Sequence, residues 1–162
     1  MKIRTLLVVL GIVTCFTSAR ILKKADFSGI WTINLDKSDF GKLDANLNSA
    51  KLIVIDQKSK SLILTRTFGN NAPSIEYYNF DGTSVDTTMG EYKKTSFLKW
   101  ADDEMQFTIS SLYNVTQQNR DPWKYTRTET YSLSEGDKIL TVDRVSVLPD
   151  RKETIKVVYD KK

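Results

Sequence analysis

Eight residues of this 162-residue chain combine the types and placement needed to hold a ligand: Arg66, Phe68, Phe107, Tyr113, Tyr125, Arg127, Glu129 and Tyr131. In extended chain, successive side chains point to opposite faces. Arg66 then shares a face with Leu62, Leu64 and Phe68. Arg127 and Glu129 share one with Tyr125, Tyr131 and Leu133, opposite a hydroxyl row of Thr126, Thr128, Thr130 and Ser132. Met105, Phe107, Ile109, Ser111, Tyr113 and Val115 form a third face, and Ile139, Val145 and Val147 a fourth that carries Asp143. A charge pointing into a dry core costs several kcal/mol unless it is paired. One pointing into a barrel that holds water or a ligand costs far less, and barrels of about eight strands lie at that size boundary. These charges therefore favour a barrel with a cavity. The alternative is that their faces turn outward, or that Arg127 and Glu129 pair at a rim.

Other chemistry is scarce. The chain has no histidine, and its one cysteine, Cys15, lies in an N-terminal leader. Ser-His-Asp and Cys-His mechanisms are thereby excluded, as are the usual zinc, copper and haem ligand sets. The seven glycines are scattered, mostly at turns, and form no phosphate-cradling loop. Asp102-Asp103-Glu104 lacks the spacing of a calcium loop and reads as solvated turn charge. Glu129 with Asp143, or Glu76 with either, would suit glycoside hydrolysis if the carboxyls stood roughly 5–10 Å apart in a cleft. Tyr77, Tyr78 and Trp123 add amphipathic aromatic surface, with Trp123 placed beside an exposed loop over 117–122. Asn114-Val115-Thr116 matches the N-glycosylation pattern of eukaryotic secretory proteins. No metal or cofactor is expected.

The elements that must position these residues follow a leader. Residues 1–19 read as a signal peptide: Lys2 and Arg4 give the basic start, 6–16 the short apolar run, and Thr17-Ser18-Ala19 the small residues for cleavage. Ile12-Val13-Thr14-Cys15 also resembles a bacterial lipoprotein signal, with Thr14 a poor match before the cysteine. Without Lys2 and Arg4 the formal charge of +4 falls to +2, so no nucleic-acid partner is expected. The chain after the leader has no cysteine and forms no disulfide. Short strands are expected over 29–35, 51–56, 61–68, 75–80, 92–100, 104–116, 125–133, 139–147 and 153–159. Asp81-Gly82 signals a two-residue turn, and 44–50 is the one stretch with helical character. The expected fold is all-β, a single antiparallel barrel of roughly 8–10 strands over residues 20–162.

Phe27-Ser28-Gly29-Ile30-Trp31 resembles the Phe-x-Gly-x-Trp signature of lipocalins. Lys37-Ser38-Asp39-Phe40 and the hairpin from Tyr131 to Val142 are similar to features of small secreted bacterial lipocalin-like domains of the calycin type. The resemblance implies a lipocalin-like barrel that the chain enters at Gly29 and that Trp31 plugs, with Arg144 or Arg151 covering the indole. A Thr-Asp-Tyr motif and a helix after the last strand, usual in lipocalins, are missing. The function expected is that of an exported, periplasmic or secreted, monomeric protein that binds a small hydrophobic or amphipathic molecule. Arg66, Arg127 and Glu129 would orient the polar end, and Phe68, Phe107, Tyr113, Tyr125 and Tyr131 would contact the rest. A ligand-free interaction module of the cell envelope, meeting a protein partner near Trp123, and a carboxylate-dependent hydrolase are the alternatives.

Overall fold

The computed structural model describes residues 24–118 and 120–162. The expected leader, its expected cleavage position and Cys15 lie outside the described residues. Ten strands run in order β1 (Gly29–Asp39), β2 (Leu52–Gln57), β3 (Ser61–Thr67), β4 (Ser74–Asn79), β5 (Val85–Met89), β6 (Tyr92–Trp100), β7 (Gln106–Val115), β8 (Trp123–Ser134), β9 (Ile139–Val147) and β10 (Lys152–Lys161). One short helix, α1 (Ala45–Asn48), links β1 to β2. Its first turn is capped by Asp44, whose carboxylate accepts from the Asn46 amide at 2.8 Å. Every pairing is antiparallel, and the spatial order is β4-β3-β2-β1-β10-β9-β8-β7-β6-β5. The first and last strands therefore meet, and β4 and β5 are left as the sheet's two ends.

That seam corrects the sequence reading in two ways. β5 was not expected, because Val-Asp-Thr-Thr-Met has too little apolar alternation to mark a strand. Asp81-Gly82 does turn the chain, with Asp81 accepting from the Thr83 amide at 2.9 Å. The strands on either side of it, however, do not pair; the turn carries the chain across the gap. Two faces also change. Met105 sits in the turn before β7 and is exposed. On β9 the inward set is Leu140, Val142, Arg144 and Ser146, so Asp143 points to solvent. The inward faces of β3, β7 and β8 are otherwise as expected, down to the outward row of Thr126, Thr128 and Thr130.

One end of the barrel is packed shut. Phe27 meets Phe107 and Trp100 edge-on at 4.7 and 5.8 Å, and Phe107 stacks on Tyr131 at 4.7 Å. Trp31 is fully buried, and its indole N–H donates to the Phe27 carbonyl at 3.0 Å. The cation over that ring is Lys161, 4.9 Å from the centroid. Neither arginine suggested by the resemblance takes that place: Arg151 pairs with Asp150 and Glu153 on the surface, and Arg144 turns into the barrel. Ser38 also finds a reason. β1 slips register against β10 between Asn34 and Asp39, and there the Ser38 hydroxyl donates to the Asn34 carbonyl and accepts from the Val158 amide.

Gly29 has φ +147°, and a Cβ there would meet Lys161 Cε at 2.8 Å. Gly29→Ala is expected to cost about 1–3 kcal/mol of stability, since backbone strain of this kind has that size. A urea midpoint equal to wild type would show that the entry strand relaxes freely.

Candidate functional site

The inner face changes character along the barrel axis. Towards the closed end it is aromatic and aliphatic; away from it, polar side chains from six strands converge. Arg66 on β3 donates to Glu76 of β4 at 2.8 Å, to Glu129 of β8 at 2.7 Å, and to the Tyr131 hydroxyl. Glu76 also accepts from Tyr78 at 3.0 Å and from the Lys94 ammonium of β6. Ser96 and Ser111 share a hydrogen bond of 2.9 Å between β6 and β7. The Lys94–Glu76 pair spans the seam that lacks main-chain pairing, because β6 carries β5 and β4 ends the opposite side of the sheet.

The environment sets the charge states. Burial alone would raise the Glu76 carboxyl, but Arg66 and Lys94 outweigh it and hold it below its usual range. Burial likewise opposes charge on Arg66, and Glu129 and Glu76 more than compensate, leaving the guanidinium firmly protonated. Lys94 is pulled below its usual value by burial, with Glu76 opposing. Burial pushes the Tyr113 phenol up to about 12 and raises those of Tyr78, Tyr125 and Tyr131, so these hydroxyls are neutral donors at ordinary pH.

Two neighbouring spaces adjoin this cluster. An outer cavity of about 470 Å³ opens to solvent between Leu47, Phe68, Tyr92, Tyr113, Tyr125 and Arg127. Its size falls within the usual range for small-molecule sites, about 300–1,000 Å³. Behind it, an inner chamber of about 40 Å³ is bounded by Asn48, Glu129, Tyr131 and Arg144, and the two spaces share Arg66, Phe68 and Arg127. The structure thus brings together seven of the eight sequence-predicted residues. Phe107 is the exception: it lies in the closed-end core and lines neither space.

The charge pairing differs from the alternative of Arg127 and Glu129 pairing at a rim. Arg66 is saturated by the protein's own carboxylates, and Glu129 pairs with it rather than with Arg127. Arg127 has no carboxylate partner among the described residues; it donates to Ser146 at 3.3 Å and lies 5.3 Å from the Tyr113 ring. Tyr113, Tyr125 and Trp123 stack in sequence at 4.4 and 5.5 Å, so Trp123 is half-buried in this wall rather than free on a loop. Tyr77 points outward. A hydrolytic pair through Asp143 is ruled out by its outward direction, and Glu76 and Glu129 are both gripped by Arg66.

Sequence reasoning missed Lys94 and Arg144. Lys94 shares its face with Ser96 and Leu98, a signal that was available in the alternation. Arg144 is opposite Glu129 in the β8–β9 register, yet its guanidinium turns to the carbonyl and side chain of Asn48 instead. Burial and the neighbouring Arg127 lower its proton affinity.

No protein-family model matches the chain, and no curated protein matches it in sequence. Its fold is similar to that of zebrafish ileal bile acid-binding protein complexed with cholic acid: 13% identity, TM-score 0.57, covering 84% of this chain and 98% of that one. It is also similar to a secretory abundant heat-soluble (SAHS) protein of Ramazzottius varieornatus, at 10% identity and TM-score 0.58, over 83% and 94% of the two chains. The fold is a lipocalin-like calycin barrel.

Proposed function

We propose that this protein is a binding barrel for a small amphipathic anion. One observation carries the reading: inside the barrel, among the described residues, Arg66, Lys94, Arg127 and Arg144 face only Glu76 and Glu129. Two formal positive charges are left over, and they belong to Arg127 and Arg144, the cations without a carboxylate. A net charge inside a low-dielectric space is costly unless it is met. An anionic group in the inner chamber meets it, and the aromatic wall of the outer cavity then covers the apolar remainder. The cholic acid in the zebrafish neighbour is a ligand of that chemical kind.

Dodecanoate and the uncharged dodecanol are suitable probes in calorimetric titrations. Dodecanoate is expected to bind more tightly. Arg127→Leu should weaken dodecanoate by about 10–100-fold, the value of a charge-assisted hydrogen bond, and leave dodecanol unchanged. Equal affinity for the two probes, or a variant that binds dodecanoate like wild type, would overturn the reading. We also propose that residues 1–19 direct export; the intact mass of the protein from its host distinguishes cleavage after Ala19 from lipidation at Cys15 and from an uncleaved chain.

A further inference from the structure

Arg144 is already occupied, and by a particular kind of partner. Its Nη1 donates to the Asn48 main-chain carbonyl at 2.6 Å and its Nη2 to Asn48 Oδ1 at 3.1 Å. Two oxygens set against two guanidinium nitrogens is the arrangement in which arginine grips a carboxylate. Asn48 supplies the oxygens but not the charge. It is the last residue of α1, and the same short segment lines both spaces, with Asn46 and Leu47 on the outer cavity and Asn48 on the inner chamber.

α1 is weakly held otherwise. It has four residues and buries none of them, whereas an isolated helix needs about 12–15 residues to be even marginally stable. Leu47 is 79% exposed. Within the segment, Asp44 caps the first turn, Asn48 Nδ2 donates to the Asp44 carbonyl at 2.9 Å and the Ser49 hydroxyl donates to the Ala45 carbonyl at 2.7 Å. What ties it to the barrel is the Arg144 fork, with Ser49 and Ala50 buried beyond it.

We propose that Asn48 is a built-in stand-in for the ligand's anionic group: it fills the Arg144 fork in the free barrel, and an incoming anion displaces it and releases α1. This rests on the reading of the cavity as an anion site. Asn48 would then set selectivity. An anion gains more from the guanidinium than a neutral amide does and can exchange with it; an uncharged amphipath cannot, and leaves α1 seated. Ligand occupancy would be reported at the barrel mouth as a freed segment, because differential contacts with the two states are what shift such an equilibrium.

The test uses the full chain with dodecanoate or dodecanol at saturation, read by hydrogen–deuterium exchange and by titration. Dodecanoate should bind and accelerate exchange over 44–49 while the strands are protected, and dodecanol should not accelerate it. Asn48→Ala, which removes one oxygen of the stand-in together with the Nδ2 bond to the Asp44 carbonyl, should bind dodecanoate about 3–10-fold more tightly with dodecanol unchanged. A purely structural Asn48 would give the opposite sign or none. Dodecanoate that binds without accelerating 44–49, or an Asn48→Ala variant that binds no tighter, overturns the stand-in and leaves the anion site intact. Failure of dodecanoate to bind wild type and variant alike overturns both.

Discussion

Arg66→Met is expected to be the most damaging single change in the polar interior, costing about 3–5 kcal/mol at pH 7, the penalty of leaving buried charges without their partner. Arg66 holds Glu76 and Glu129 at 2.8 and 2.7 Å, with side chains that are nearly inaccessible. Domains of this kind have about 5–15 kcal/mol in total, so the variant would sit close to unfolding. The pH dependence separates this cause from simple loss of packing. In wild type the Glu76 carboxyl is held below the usual glutamate range, so its contribution is full above that range and is lost as acid protonates the folded state. Without Arg66, burial works against the Glu76 charge with Lys94 alone opposing it, and its proton affinity rises. The deficit of the variant should therefore be greatest near neutrality and shrink towards pH 5. Urea unfolding at both pH values measures it; a deficit equal at the two would assign the loss to packing.

Trp31→Ala should cost a similar amount, about 3–5 kcal/mol, as for other large buried aromatics cut to alanine. The indole is fully buried, and removing it also strips the Phe27 carbonyl of its 3.0 Å donor and Lys161 of the ring beneath it. Trp31→Phe isolates the second part: most of the packing is kept, and an unpaired buried carbonyl costs about 1–3 kcal/mol. Chemical unfolding of the two variants gives both terms. An alanine variant within 1 kcal/mol of wild type would show that Trp31 is not what closes this end.

Strands whose two faces differ sharply in polarity were legible from sequence. Residues 61–68 and 125–133 put Arg66, Arg127 and Glu129 inside, where the structure has them. β9 was not, because Ile139-Val145-Val147 and Leu140-Val142 are comparably apolar and alternation alone cannot choose between them. The choice is made by register: Arg144 lies opposite Glu129 and so must share its face. That single ambiguity hid Arg144, and with it Asn48. Phe107 was placed on the correct face but at the wrong depth. Alternation identifies the side of a strand; which end of the barrel is sealed depends on Phe27 and Trp100, which reach Phe107 from other parts of the chain. β5 was invisible because Asp86, Thr87 and Thr88 bury little and serve mainly to continue the sheet beyond β6.

The seam between β4 and β5 has a consequence for how the chain could be ordered. Read across the sheet from β5, the strands run β5 to β10 and then β1 to β4. Natural connectivity interrupts this run once, where Trp31 must find Lys161 at the far end of the chain. A circular permutant that joins the two ends and opens at 82–84 would cut no strand pairing. Every hydrogen-bonded strand pair would then be sequential, and the sheet would become one continuous meander. Its one strand pairing between distant parts of the chain would become local, leaving the Lys94–Glu76 bridge across the seam as the contact that joins the new ends, and pairings close in sequence are the faster ones to form.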